Sequence, residues 1–312
     1  MVRKLLVVLA VLVASIPFLM AVAGMGMFLL GGDEWPPAQA TTPVVSDEVP
    51  IEMWGLYNQA GARFGLSAGL LAAVGKVECD HARNPACDQP NGAGALGPMQ
   101  FLPATFAAWS WASGSPSPTR LDPRDAVFAA AAKLAADGAA TDPAAALFSY
   151  NPSRSYVATV VAWALSYGWT PPDDAVLAAA VLDHPRVALR PSAASDVRAG
   201  RVEARVLAVV LVVATRHDLA AVGPFVSGHS YFVAGTDAPS NHAFGRAVDL
   251  PVVDSAAVSD DNDAALAAVR QVALLPLSLR PDEIGCPWAV TLGGRRTITK
   301  DHGDHLHFGW DS

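Results

Sequence analysis

The chain has 312 residues, 52% of them hydrophobic, with 21 Lys and Arg against 29 Asp and Glu. That length accommodates an anchor and two domains, each large enough to bury its own core. The acidic excess is spread over the chain and no basic patch occurs, which excludes nucleic acid as the expected partner.

Arg3 and Lys4 precede an uncharged run of 28 residues from Leu5 to Gly32, closed by Asp33 and Glu34. Such a run is long enough to span a bilayer and longer than the ~7–15-residue core of a cleaved leader, so residues 1–32 read as a signal anchor with its basic end inside. Cleavage after Ala23 or Ala40 is the alternative, since small residues sit at suitable offsets. Residues 33–50 are polar and Pro-rich, and read as a tether between the membrane and an extracytoplasmic body.

Helical signals begin at Ile51. Ile51–Phe64 forms one amphipathic stretch, and Ser67 can cap a second that runs to about Cys79. Leu70, Leu71, Val74 and Val77 line one face of this second helix, and Glu78 falls on the same stripe. A carboxyl turned inward loses hydration, its pKa rises, and it can hold and donate a proton near neutral pH. The plainer alternative is a solvated glutamate at a helix end. Helices are also expected from Pro103, over Ala126–Ala136, Ala144–Phe148 and Tyr156–Tyr167, giving an all-helical lobe over residues 51–169. Cys79 and Cys87 stand eight apart on an exported chain, where a disulfide pinning the end of the Glu78 helix is expected; two free thiols packed as small hydrophobes are the alternative.

The stretch TPPDD at 170–174 marks a boundary by composition, and residues 175–312 read as a second, small α+β domain. It is expected to hold a short strand near Arg186–Leu189 and a core helix from about Glu203 to Thr215. SNHAFGRAVDL sets His242 and Asp249 seven apart around Gly245, and the terminal DHLHFGW alternates His305 and His307. On a strand those two imidazoles share a face. Two imidazoles and a carboxylate suit a zinc site with one position left open for water. Cys286 reads as a buried thiol.

Glu78 at the end of a buried helix, then GALGPMQFLPATF, then YNPSRSYV, occur in an order that resembles the lysozyme-like lytic transglycosylases of peptidoglycan, nearest their membrane-bound B type. The resemblance implies Glu78 as the general acid between N-acetylmuramic acid and N-acetylglucosamine. It also implies a sugar cleft lined by Met99, Gln100, Tyr150 and Asn151, the last two orienting Glu78 or an acetamido group. Many relatives have Ser directly after the acid, where this chain has Cys79. The SxHxxGxAxD pattern with the terminal DHLH is similar to the zinc D-alanyl-D-alanine peptidases and their hedgehog-like relatives. That match implies His242, Asp249 and His307 as zinc ligands, Asp304 in the place of the catalytic glutamate, and His305 as support for the transition state. The expected whole is a membrane-tethered α+β multidomain enzyme of the cell wall. The alternatives are a wall-binding scaffold of a secretion or conjugation machine, and a glycan-cleaving enzyme with an inactive second domain.

Overall fold

The computed structural model describes residues 48–292 and 294–311. The anchor over residues 1–32, and all but the last residues of the tether, lie outside the described residues. Among the described residues no helix is long and apolar enough to cross a membrane.

The first half is helical, in the order α1 (Ile51–Phe64), α2 (Ala68–Cys79), α3 (Pro103–Trp109), α4 (Pro123–Ala136), α5 (Pro143–Tyr150) and α6 (Arg154–Ser166). Local chemistry sets most of the starts. The side chains of Ser67, Asp122, Asp142 and Ser153 each accept a backbone N–H from the turn they open, and proline occupies the first turn of α3, α4 and α5. Ala126 to Ala132 are all buried in α4, and small side chains on that helix let α1 and α3 approach closely. Gly75 plays the same part in α2, because a Cβ there would fall 2.0 Å from the Tyr57 hydroxyl.

The second half begins with α7 (Ala175–Asp183), followed by β1 (Val187–Leu189), α8 (Pro191–Arg198), α9 (Ala204–Ala214) and β2 (Leu219–Val222). Then come β3 (Ala247–Leu250), β4 (Val252–Val253), β5 (Ala256–Ala257), α10 (Asp263–Ala273), β6 (Glu283–Gly285), β7 (Thr291–Leu292), β8 (Arg295–Arg296) and β9 (Leu306–Gly309). The expected short strand and core helix are present within a residue or two of the spans read from sequence. Two sheets matter: β1-β2-β4-β5, and the antiparallel β3-β9-β6.

In β3-β9-β6, Asp249 pairs with His307, Gly285 with His307, and Glu283 with Gly309. Alternation sends Val248, Leu250, Ile284, Leu306 and Phe308 to the opposite face, where all are buried in the core. The hydrophobic core is continuous between the halves, because α6 packs on α2 and also on α7 and α9. The described residues accordingly form one compact unit. The helical lobe plus small sheets gives the α+β architecture expected. A hollow of about 690 Å³ beside α7 and the start of α9 is lined by none of the expected site residues.

Candidate functional site

Glu78 stands one residue before the end of α2. Leu71 and Val74, on the same stripe, are fully buried, while Glu78 itself is half-buried. Its position is held from the C-terminal side. Cys79 is disulfide-bonded to Cys87, as expected. The three residues after Cys79 all take positive φ: Asp80 at 48°, His81 at 57° and Ala82 at 66°. Non-glycine residues hold that conformation only when their surroundings impose it. Here His81 is buried, with Nδ1 3.1 Å from the Tyr57 hydroxyl and Nε2 3.1 Å from that of Tyr167. Burial, helped by the Lys76 and Arg83 charges, pulls the His81 pKa down to about 4. A neutral imidazole thus bridges two tyrosines in the turn that follows Glu78.

From the other side, the Tyr156 hydroxyl donates to Glu78 Oε1 at 2.7 Å. Burial raises the Glu78 pKa to about 7, against the opposing pull of that hydrogen bond. A carboxyl so poised is near half-protonated at neutral pH and can both give and take a proton. The motif YNPSRSYV explains how Tyr156 arrives there. Asn151 ends α5, Pro152 prevents continuation, and Ser153 accepts the Tyr156 N–H to start α6 with Tyr156 in its first turn.

Tyr150 and Met99 are also brought together: the Tyr150 hydroxyl donates to the Met99 carbonyl at 2.7 Å. Tyr150 therefore braces the GPMQF turn, and the hydroxyl on Glu78 is that of Tyr156, a partner the sequence had placed in the motif without a role. The Glu78 charge is still felt at Tyr150, where after burial it helps push the phenol pKa up. Gln100 sits at φ 46°, its amide donating to the Gly97 carbonyl at 3.0 Å. Gly97 is required, since a Cβ would lie 1.9 Å from the Arg120 carbonyl oxygen. Arg120 closes the loop by donating to the carbonyls of Gly94 and Phe101, each at 2.9 Å. Asn151 is half-exposed and donates its backbone N–H to Leu147.

The second constellation lies on β3-β9-β6. His242 Nε2 is 3.3 Å from His307 Nδ1 and 3.3 Å from Asp249 Oδ1, and His307 Nδ1 is 2.9 Å from the same Asp249 oxygen. All three side chains are buried. Burial by itself would raise the Asp249 carboxyl, but hydrogen bonds from His242 and His307 hold it far below the usual range. Burial opposes protonation of His307, yet Asp249 and then Glu283 raise it to about 9. His229, His242 and Asp249 are the group whose donor atoms lie close enough together to hold a metal ion, and of the expected ligand set His307 stands beside them at 3.3 Å from His242 and 2.9 Å from Asp249.

Sequence reasoning missed three neighbours of this cluster. His229 stacks on His242 with ring centres 4.1 Å apart, and one of its donor atoms lies within 4.8 Å of those of His242 and Asp249. His302 packs where a Cβ of Gly285 would be, against the rings of His305 and His307. Glu283 faces His307 from β6. Asp304 bonds to His305 Nδ1 at 2.7 Å, while His305 Nε2 is 3.8 Å from Asp249. The Asp304 side chain is 90% exposed. Arg190, Pro224, Asp249, Asp304 and His305 border a small hollow of about 160 Å³.

The helical lobe therefore defines a general-acid site: one desolvated carboxyl, held by a phenol and backed by a disulfide-closed turn. Residues 55–163, about a third of the chain, match the family model described as Transglycosylase SLT domain. The match includes Glu78, Met99, Gln100, Tyr150, Asn151 and Tyr156 and stops before the sheet lobe. No curated protein matches the chain.

Proposed function

We propose that the protein is a membrane-tethered, extracytoplasmic enzyme that cleaves the glycan strands of peptidoglycan without hydrolysis. The observation that carries the reading is the single carboxyl of Glu78, raised to about 7 by burial while Tyr156 holds one of its oxygens. In this reading protonated Glu78 donates to the glycosidic oxygen between N-acetylmuramic acid and N-acetylglucosamine. The resulting carboxylate then takes the proton of the muramic acid 6-hydroxyl as that oxygen closes a 1,6-anhydro ring. No second carboxylate is needed as nucleophile. Met99, Gln100 and Asn151 would line the sugar cleft, with Tyr150 bracing the turn that carries Met99.

Residues 175–312 are read as a zinc domain acting on or holding the stem peptides of the same polymer, with the boundary at TPPDD. The donor spacing supports zinc: a tetrahedral ion with bonds of about 2.0–2.1 Å keeps its ligands roughly 3.3 Å apart. The observed separations are 3.3, 3.3 and 2.9 Å. Bound there, zinc would supply Lewis acidity toward a peptide carbonyl. His242, Asp249 and His307 would hold it, and the Asp304–His305 pair would hold a proton at the edge of the site. The exposure of Asp304 favours a peptide-holding role over rapid cutting. Tethering both lobes to one membrane raises their local concentration on the wall, and a secretion or conjugation machine is a setting in which such an enzyme would be used.

Digesting purified peptidoglycan with the full chain and with Glu78→Gln, then reading muropeptides by mass spectrometry, tests the reading. Anhydro-muropeptides from the parent and none from the variant are expected; hydrolysed ends from the parent would overturn it.

A further inference from the structure

One carboxylate at the second site has no part in the reading above. Glu283 is set by strand register: it lies opposite Gly309, while its neighbour but one, Gly285, lies opposite His307. Alternation puts Glu283, Gly285, His307 and Gly309 on one face, which makes Glu283 and His307 diagonal neighbours across β6 and β9. Glu283 Oε2 is 3.7 Å from His307 Nε2. The same oxygen is 3.4 Å from Asn241 Nδ2, on the residue directly before His242.

The space between these groups is kept clear. A Cβ on Gly309 would stand 2.9 Å from His307 Nε2, 3.2 Å from Asn241 Nδ2 and 3.3 Å from Glu283 Oε2. The φ of Gly309 is not in the positive region that would itself call for glycine. Room for the three polar atoms is the reason this position lacks a side chain.

The two nitrogens of His307 face different neighbours. Nδ1 is turned to Asp249 and His242, leaving Nε2 for Glu283. His242 shows the complementary arrangement, with Nδ1 2.9 Å from the Phe225 carbonyl and Nε2 toward His307 and Asp249. On the reading that His242, Asp249 and His307 hold zinc, we propose that Glu283 is the positioning residue of that site. It accepts the Nε2–H of His307 and so commits the ring to the tautomer whose lone pair is on Nδ1, as the Phe225 carbonyl does for His242. The present 3.7 Å is longer than a hydrogen bond. A cation on Nδ1 would make Nε2–H a stronger donor and draw the carboxylate in, with Asn241 Nδ2 beside the same Oε2 oxygen. Glu283 meets His307 at Nε2, the edge turned away from Asp249 and His242, so it positions a ligand and touches nothing bound at Nδ1.

The test uses the full chain in detergent, stripped of metal and titrated with zinc against a chromophoric chelator. The parent is expected to bind one zinc per chain and His242→Ala none, which checks the zinc reading by itself. Glu283→Ala is expected to weaken zinc binding by roughly 10–100-fold, and Glu283→Gln, whose amide oxygen accepts the same proton, to recover most of it. Imidazole nitrogen NMR of the zinc-loaded parent is expected to show His307 protonated on Nε2. Parent affinity in Glu283→Ala, or a His307 proton on Nδ1, overturns the positioning role while leaving zinc in place. A parent that takes up no zinc overturns the zinc reading and this proposal with it. Should Glu283→Ala fail to fold, the ring-nitrogen spectrum of the parent decides alone.

Discussion

The two sites are built from opposite materials. In the helical lobe one carboxyl gains its character from loss of water: burial shifts it, one phenol orients it, and a disulfide, a strained turn and a buried imidazole fix the helix end beneath it. In the sheet lobe the arrangement comes from register, with three strands and one preceding loop delivering charged and imidazole groups to a common face. A desolvated acid depends on how its surroundings pack; a donor set depends on which residues stand opposite each other. The first is therefore sensitive to small changes in packing and pH, and the second to changes in pairing or to removal of a cation.

The largest separation between the sites is expected from Glu78→Gln. Loss of the proton donor should cut anhydro-muropeptide formation by about 10²–10⁴-fold, with zinc uptake by the sheet lobe unchanged; a joint loss of both, read by mass spectrometry and metal content, would break the division. Next, replacing Cys79 and Cys87 by Ser removes an eight-residue closure and should cost about 2.5 kcal/mol of stability on chain-entropy grounds. Chemical unfolding measures this, and zinc affinity should again stay constant.

Acidification gives a smaller and more specific contrast. His81 is held to about 4 against an ordinary 6.5, so the unfolded chain takes up that proton first as pH falls. The stability His81 contributes is intact above pH 6.5 and drains away toward pH 4, about 2 kcal/mol being lost by pH 5. His184, buried in the second half and also lowered to about 4 by burial, acts with the same sign. Glu78 acts with the opposite sign, since its raised pKa favours the folded state more as pH falls through 7. Comparing His81→Gln with the parent isolates one contribution: the variant should lose about 2 kcal/mol less than the parent between pH 7 and pH 5, and equal losses would show that His81 is not held neutral.

Tyr156→Phe should have the mildest effect, a roughly tenfold drop in glycan cleavage for one lost hydrogen bond to a charged group. Its direction on pH is diagnostic. Glycan cleavage requires the protonated acid, so activity falls as pH rises through about 7; removing a hydrogen bond that lowers the Glu78 pKa must move that fall to higher pH. A shift to lower pH would mean that Tyr156 does not stabilise the carboxylate.

Glu78 was legible in the chain because local rules fix it: a serine cap, an apolar stripe and a helix end determine which way its side chain turns. The helices of the first lobe were read within a few residues for the same reason, since capping residues and prolines mark them. Tyr156 as the partner of Glu78 was not legible. The two are 78 residues apart, and Tyr150, in the same motif, was an equally good phenol until packing sent its hydroxyl to Met99. In the second half α7, α8 and α10 went unread, although α10 buries Ala265, Ala268, Val269, Val272 and Ala273 at the spacing of one helix face. Glu283 was hidden more deeply, because nothing in RPDEIGCPW signals a site and its relation to His307 exists only through the pairing of β6 with β9.

The order of residues alone thus singled out Glu78, the cysteine ring and two members of the His229, His242 and Asp249 group, since each follows from short-range spacing or from chemistry that few residue types supply. The tertiary structure decided which phenol meets the acid, which imidazole nitrogen faces which neighbour, and which carboxylate stands behind His307. Those choices depend on strand register and helix packing across tens of residues, where a shift of one position would reverse every side chain and no local preference resists it.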